Sequence, residues 1–211
     1  MHNSLFLNWQ QTLQPFEVDP ITVEKVFTYL VEAYSNPNRH YHTLKHIHHV
    51  LNTIQTLQAH TNDLIAVQLA AWFHDVVYDT QSPNNEEKSA NYAVQWLSSL
   101  GIPANTITYV TRLILNTKHH QAAVDDFDSQ VLLDADLAIL ATPPIRYQEY
   151  AHAIRQEYIW IPQAEYRVGR RQVLEKFLQR QRIYFTPLMF DTKENIARLN
   201  IKAEIKILNQ Q

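Results

Sequence analysis

Residues 64–79 read LIAVQLAAWFHDVVYD. Leu64, Ile65, Leu69, Trp72, Phe73 and Val76 recur at the three- and four-residue intervals of a helix. Gln68, His74 and Asp75 interrupt the run, which is too short to span a bilayer, so it predicts a helix buried in a protein core. An aspartate inside such a helix is costly unless it is paired or bound to a cation. Two readings of Asp75 follow. Either it fixes the tautomer of a neighbouring core histidine, or His74 and Asp75 together bind a divalent metal, which answers the burial problem more completely. A His-Asp pair alone says little, because about half a pair is expected by chance in a chain of this composition.

The same periodicity extends outward. Phe27, Leu30, Val31 and Tyr34 follow helical spacing, as do Leu44, Ile47, Val50, Leu51 and Ile54. Breakers separate the segments at Asn36-Pro37, at SPNN (82–85), at Gly101-Ile102-Pro103 and at Thr142-Pro143-Pro144. Further helices are expected near 87–100, 104–119, 129–141, 144–160, 163–181 and 191–209, with 121–130 (QAAVDDFDSQ) as a surface loop. The chain of 211 residues has two glycines, Gly101 and Gly169. They cannot form a phosphate-cradling loop or a dinucleotide fingerprint, and few glycines mean few tight hairpins. No strand, repeat or linker stands out. The expected architecture is all-α: one domain over 1–211, with its core at 20–205 and about eight to ten helices.

Composition narrows the function. The absence of cysteine removes disulfides, thiolate zinc sites, iron–sulfur clusters and a cysteine nucleophile. A formal net charge of −3, with both signs mixed along the chain, argues against a nucleic-acid footprint. The opening MHNSLFLNWQQ lacks a basic region followed by an apolar run, and no segment reads as a membrane span, so a cytoplasmic protein is expected. The sequence leaves room for an oligomer.

Two further segments bear on the His-Asp pair. In RHYHTLKHIHHVL (39–51), Thr43 is placed to cap a helix whose apolar stripe is Leu44, Ile47, Leu51 and Ile54. His48 and His49 lie away from that stripe and, with His40, read as a solvated face. His46 lies roughly 80° from the stripe's centre, at its border, with His42 one turn earlier on the same side. In VLLDADLAIL (131–140) two carboxylates interrupt an apolar helix. Asp134 and Asp136 are two residues apart and so point to different faces; one site does not take both as direct ligands.

A histidine, then His-Asp on a second helix, then an aspartate on a later one gives the order H…HD…D. This resembles the HD-domain superfamily of metal-dependent phosphohydrolases, and most nearly the branch described as predicted metal-dependent HD superfamily phosphohydrolases. NRHYHTLKHI, AWFHDVVYD, NNEEKSA, LDADLAIL and YRVGRRQVLEKFLQR carry the resemblance in order over roughly residues 20–205. It implies an HD-type helical domain and a metal held by His46, His74, Asp75 and Asp136. His46 aligns with the H-x-x-x-V turn, and Ala135-Asp136 with the final Ala-Asp. Asp134 then becomes an acid that supports the ligands from behind or faces the substrate, and His42 a weaker alternative to His46. HDVVYDT is also similar to the HDxxEDT of the stringent-response alarmone hydrolases. Here Tyr78 stands in place of the glutamate, which counts against that substrate, while Asp79 matches.

Two histidines and two aspartates suit a divalent ion: Mn, Fe, Co, Ni, Zn or, less well, Mg. The expected activity is hydrolysis of a phosphoester of a nucleotide or another small phosphorylated metabolite. Asp79 with Glu86 or Glu87 assists proton transfer, although a glutamate in a first helical turn also satisfies the helix dipole. Positive groups for phosphate are sought in Lys118, His119 and His120, expected to close a helix, and in Arg39, Arg155 and Arg170. Tyr147, Tyr150, Tyr158 and Tyr166 read as packing, with a nucleobase stacked on one of them as the functional alternative. Rival readings are a diiron oxygenase of the same superfamily, with His119 or His120 on a second iron, and a non-catalytic metal- or nucleotide-binding protein.

Overall fold

The computed structural model describes residues 1–210. Among them are ten α-helices and no strand, as the hydrophobic periodicity and the scarcity of glycine predict. They are α1 (His2–Leu13), α2 (Pro20–Tyr34), α3 (Leu44–Leu57), α4 (Leu64–Phe73), α5 (Asn85–Ser99), α6 (Ala104–Asn116), α7 (Phe127–Asp136), α8 (Pro144–Glu157), α9 (Gln163–Gln179) and α10 (Pro187–Gln210). No described helix is long and apolar enough to cross a membrane. The chain forms two compact units, Met1–Leu133 and a second that begins at Asp134, so the division falls within α7.

In the first unit α4 is the central element, packed against α1, α3, α5 and α6. Every residue from Ala66 to Phe73 is buried, including Gln68, so α4 carries no polar face. Asp63 starts the helix by accepting from the Ala66 amide at 2.9 Å. Trp72 meets Trp9 and Phe27 edge-to-face, with ring centroids 5.6 and 6.0 Å apart. The Tyr34 hydroxyl donates to the Trp72 carbonyl at 2.9 Å, satisfying a group that the helix end leaves unpaired.

Three expectations need correction here. The His-Asp pair is not inside the α4 helix but at its C-terminus. The His74 amide still bonds the Ala70 carbonyl at 2.8 Å, and the chain leaves the helix at Asp75. The segment expected as a surface loop is already helical from Phe127, and Asp128 is fully buried. Its carboxylate accepts from the Asn62 and Asp63 amides at 2.6 and 3.1 Å and from the Tyr109 hydroxyl at 2.7 Å. It pins the α3–α4 connection, which explains a buried acid without any ligand. Finally, α6 stops at Asn116, where the Thr117 hydroxyl folds back onto the Ile114 carbonyl. Lys118, His119 and His120 therefore lie in the turn beyond the helix, His120 with a left-handed φ of 47°.

In the second unit α10 packs on α8, α9 and a 3₁₀ segment, Leu137–Ala141, that continues from α7. Carboxylates and amides tie its irregular backbone. Glu194 accepts from the Ile183 and Tyr184 amides, and Asn200 donates to the Leu140 and Thr142 carbonyls at 2.9 Å each.

Candidate metal centre

His46 stands in the first turn of α3, whose start is capped by Thr43. Ile47, Val50, Leu51 and Ile54 bury the apolar face of that helix, and His46 is buried with them. His74 is buried at the end of α4. The two imidazoles face each other, Nε2 to Nε2, at 3.2 Å. The Ala71 carbonyl lies 2.9 Å from His74 Nδ1. A carbonyl only accepts, so Nδ1 carries the proton and Nε2 is left as the lone-pair nitrogen. On His46, Nδ1 meets the Tyr41 hydroxyl at 3.1 Å, which directs Nε2 to the same point.

Asp75 completes the group. Its Oδ2 lies 3.2 Å from His74 Nε2, 3.6 Å from His46 Nε2 and 3.9 Å from His42 Nε2, and its side chain is 18% exposed. Burial pushes the Asp75 carboxyl upward. When the rings are protonated, the charges of His74 and His42, with hydrogen bonds from His46 and His74, more than offset this and hold it well below the usual carboxylate range. Asp136 is the last residue of α7. Within the first unit His46, His74 and Asp75 each offer a ligand atom, all within 4.8 Å of one another, and so can hold a metal ion. The donor chemistry fits a divalent cation. Two imidazole nitrogens converge beside a carboxylate, and one imidazole has its far nitrogen fixed by a carbonyl.

The other candidates divide between the edge of this group and separate duties. His42 stacks on Tyr78 with ring centroids 4.0 Å apart, at the side of Asp75. Asp79 is exposed and shapes its own turn, accepting from the Gln81 amide at 2.9 Å. Glu86 and Glu87 open α5, both half-buried. Glu87 is ion-paired with Lys118, whose hydrogen bond holds the carboxyl below its ordinary value. His119 and His120 follow Lys118 in the turn after α6, His119 being exposed and in electrostatic contact with Glu87. Of the histidines expected on a solvated face, His40 is exposed while His48 and His49 are half-buried.

Four groups sought as substrate contacts have other occupations. Asp134 is fully buried and accepts from the Phe185 amide at 2.8 Å and from the Thr186 amide and hydroxyl at 2.7 Å each. Both of its oxygens are taken by the 183–186 turn, so it is a structural carboxylate and not a substrate-side acid. Arg155 donates to the Tyr158 and Ile161 carbonyls at 2.6 and 3.0 Å and to Gln163, closing the α8–α9 turn. Arg170 forms a bidentate pair with Glu204, at 2.8 and 3.1 Å, and Glu204 also accepts from Tyr147. Arg39 binds three backbone carbonyls. Sequence reasoning finds the cations but not their partners, because each partner is a carbonyl or a residue far along the chain. Tyr41 was not singled out either: a tyrosine five residues before His46, outside the helix, leaves no periodic trace.

Comparison of the chain with protein-family models, curated protein sequences and solved structures returns no match.

Proposed function

We propose that the chain is a metal-dependent phosphohydrolase. It cleaves a phosphoester of a nucleotide or another small phosphorylated metabolite, with His46, His74, Asp75 and Asp136 holding a divalent cation. The observation that carries the reading is the convergence of two buried imidazole Nε2 atoms, 3.2 Å apart, on the Asp75 carboxylate. The H…HD…D order of the sequence supports it independently. A divalent cation at such a set lowers the pKa of water towards about 7 and screens phosphoryl charge.

The protein's own groups act around that point. The Ala71 carbonyl keeps His74 in one tautomer, so Nε2 stays a donor to a cation. Asp75 is ionised across the physiological range and supplies charge that a cation needs and a bare phosphate would repel. Of the acids assigned to proton transfer, Glu87 is tied to Lys118 and its lowered pKa makes it a weak base, which leaves that role to Asp79 or Glu86. Lys118 and His119, both in electrostatic contact with Glu87, are the candidates for meeting phosphate.

The test is purified protein assayed with Mn, Co or Ni against a nucleotide panel and a generic aryl phosphate. Turnover by wild type that is lost in Asp75→Ala is expected. Equal, background-level turnover by both with every metal ends the hydrolase reading.

A further inference from the structure

Arg39 lies outside any helix, in the segment between α2 and α3, yet it is buried. Its Nη1 donates to the His42 carbonyl at 3.1 Å and to the Asp75 carbonyl at 2.7 Å, and its Nη2 donates to the Val76 carbonyl at 2.8 Å. The guanidinium plane sits between two rings, 5.0 Å from the Tyr34 centroid and 5.7 Å from that of Tyr78. Tyr34 is itself anchored to the end of α4 through the Trp72 carbonyl.

These contacts join two segments. One, 39–43, leads into the Thr43 cap and fixes where α3 starts, and with it His46. The other is the turn after α4 that carries Asp75. The Asp75 and Val76 carbonyls lie just past the helix end, where no further turn supplies donors. A planar fork bonds several carbonyls in a fixed relation, and a single ammonium on a flexible stem does not.

We infer that Arg39 is a positioning residue for the metal centre, fixing the backbone of Asp75 against the segment that delivers His46. This rests on the metal-site reading above. The Arg39 guanidinium bonds backbone carbonyls and not the ligand atoms; it acts through the carbonyl of the residue whose carboxylate is the ligand. Groups that support metal ligands in this manner are worth about 10- to 100-fold in metal affinity.

The experiment compares Arg39→Lys with wild type in the metal-free full-length protein. Each is titrated with Co(II), with affinity and the visible ligand-field spectrum as readouts and apo melting temperature alongside. Ile54→Val, a core change on α3 remote from the ligands, controls for lost stability alone. Arg39→Lys is expected to bind Co(II) at least about tenfold more weakly and with an altered spectrum, while Ile54→Val keeps wild-type affinity and spectrum. Equal affinity and an unchanged spectrum in Arg39→Lys overturn the role of Arg39 and leave the metal site standing. Failure of wild type to bind any cation overturns both. Should Arg39→Lys not fold, Tyr78→Leu removes one of the two rings that hold the guanidinium while leaving every carbonyl in place. A weakening of about threefold or more supports the inference, and unchanged affinity defeats it.

Discussion

Asp75 and Asp134 are both aspartates in apolar sequence at the end of a buried helix, yet their surroundings are opposite in kind. Asp134 faces N–H and O–H donors: two backbone amides and the Thr186 hydroxyl. Asp75 faces imidazole nitrogens, one of which carries a lone pair by virtue of the carbonyl behind it. Burial dominates at Asp134 and raises its pKa to about 6 despite the bonds from Phe185 and Thr186. At Asp75 burial acts in the same direction, but the neighbouring imidazoles prevail and the carboxyl sits well below the usual range. A buried acid alone therefore says nothing about function. What faces it decides: amides and a hydroxyl complete a carboxylate, whereas imidazoles that turn neutral offer lone pairs beside it that suit a cation.

The largest effect that tests this contrast is on metal content. Asp75→Ala, and separately His74→Ala, are expected to lower bound metal from one ion per chain to background, a loss of affinity above about 100-fold. Elemental analysis after dialysis against a limiting chelator reads it directly. Full metal content in Asp75→Ala would erase the distinction between the two acids.

The matching change in the other region is Asp134→Ala. It leaves a buried amide, a half-buried amide and a buried hydroxyl without their acceptor, so a stability loss of about 3 kcal/mol is expected in chemical unfolding, with metal stoichiometry retained in the folded fraction. The pair of variants makes a double dissociation. If Asp134→Ala loses metal at native stability, Asp134 belongs to the site after all.

How much of this was legible beforehand follows the same line. The all-helical architecture was readable because apolar residues recur at helical intervals and only two glycines are available for tight turns. The convergence of His46, His74 and Asp75 was readable because the H…HD order resembles a known pattern. The duties of Asp134, Asp128, Arg155 and Arg170 were not. Each is fixed by an atom with no sequence signature, such as the Thr186 amide or the Ile161 carbonyl, or by a side chain as distant as Glu204. The position of the His-Asp pair was misjudged for a related reason. Apolar periodicity runs through Val76, but the backbone leaves the helix before it, held by an arginine 36 and 37 residues upstream.

A third acid gives a smaller, pH-dependent effect. Asp126 is ion-paired with Arg112 and accepts from Ser129. Burial raises its pKa, but the bonds from Arg112 and Ser129 outweigh that and lower it. A carboxylate with a depressed folded-state pKa contributes stability above its unfolded value of about 4, and that contribution is lost as pH falls through the lower folded value. Arg112 is largely exposed, so solvent screening limits the contribution to less than about 1 kcal/mol. Asp126→Asn should therefore melt slightly below wild type at pH 7 and together with it near pH 2. A gap that widens in acid would reverse the assigned direction.

The smallest effect on stability is also the most discriminating for function. Lys118 and Glu87 form an ion pair between side chains 29% and 44% exposed. Exposed pairs contribute little, so Lys118→Ala should shift unfolding only slightly. If Lys118 serves only the pair, activity and KM should follow that small stability change and Glu87→Gln should behave alike. If Lys118 instead meets a phosphoryl oxygen, Lys118→Ala lowers kcat/KM by tenfold or more, about 1.4 kcal/mol, at nearly unchanged stability. Glu87→Gln would then act separately by freeing the ammonium. The ratio of the two variants' kcat/KM values, measured at matched melting temperature, thus separates a surface tie from a substrate contact on the very side chain where the two readings differ least in appearance.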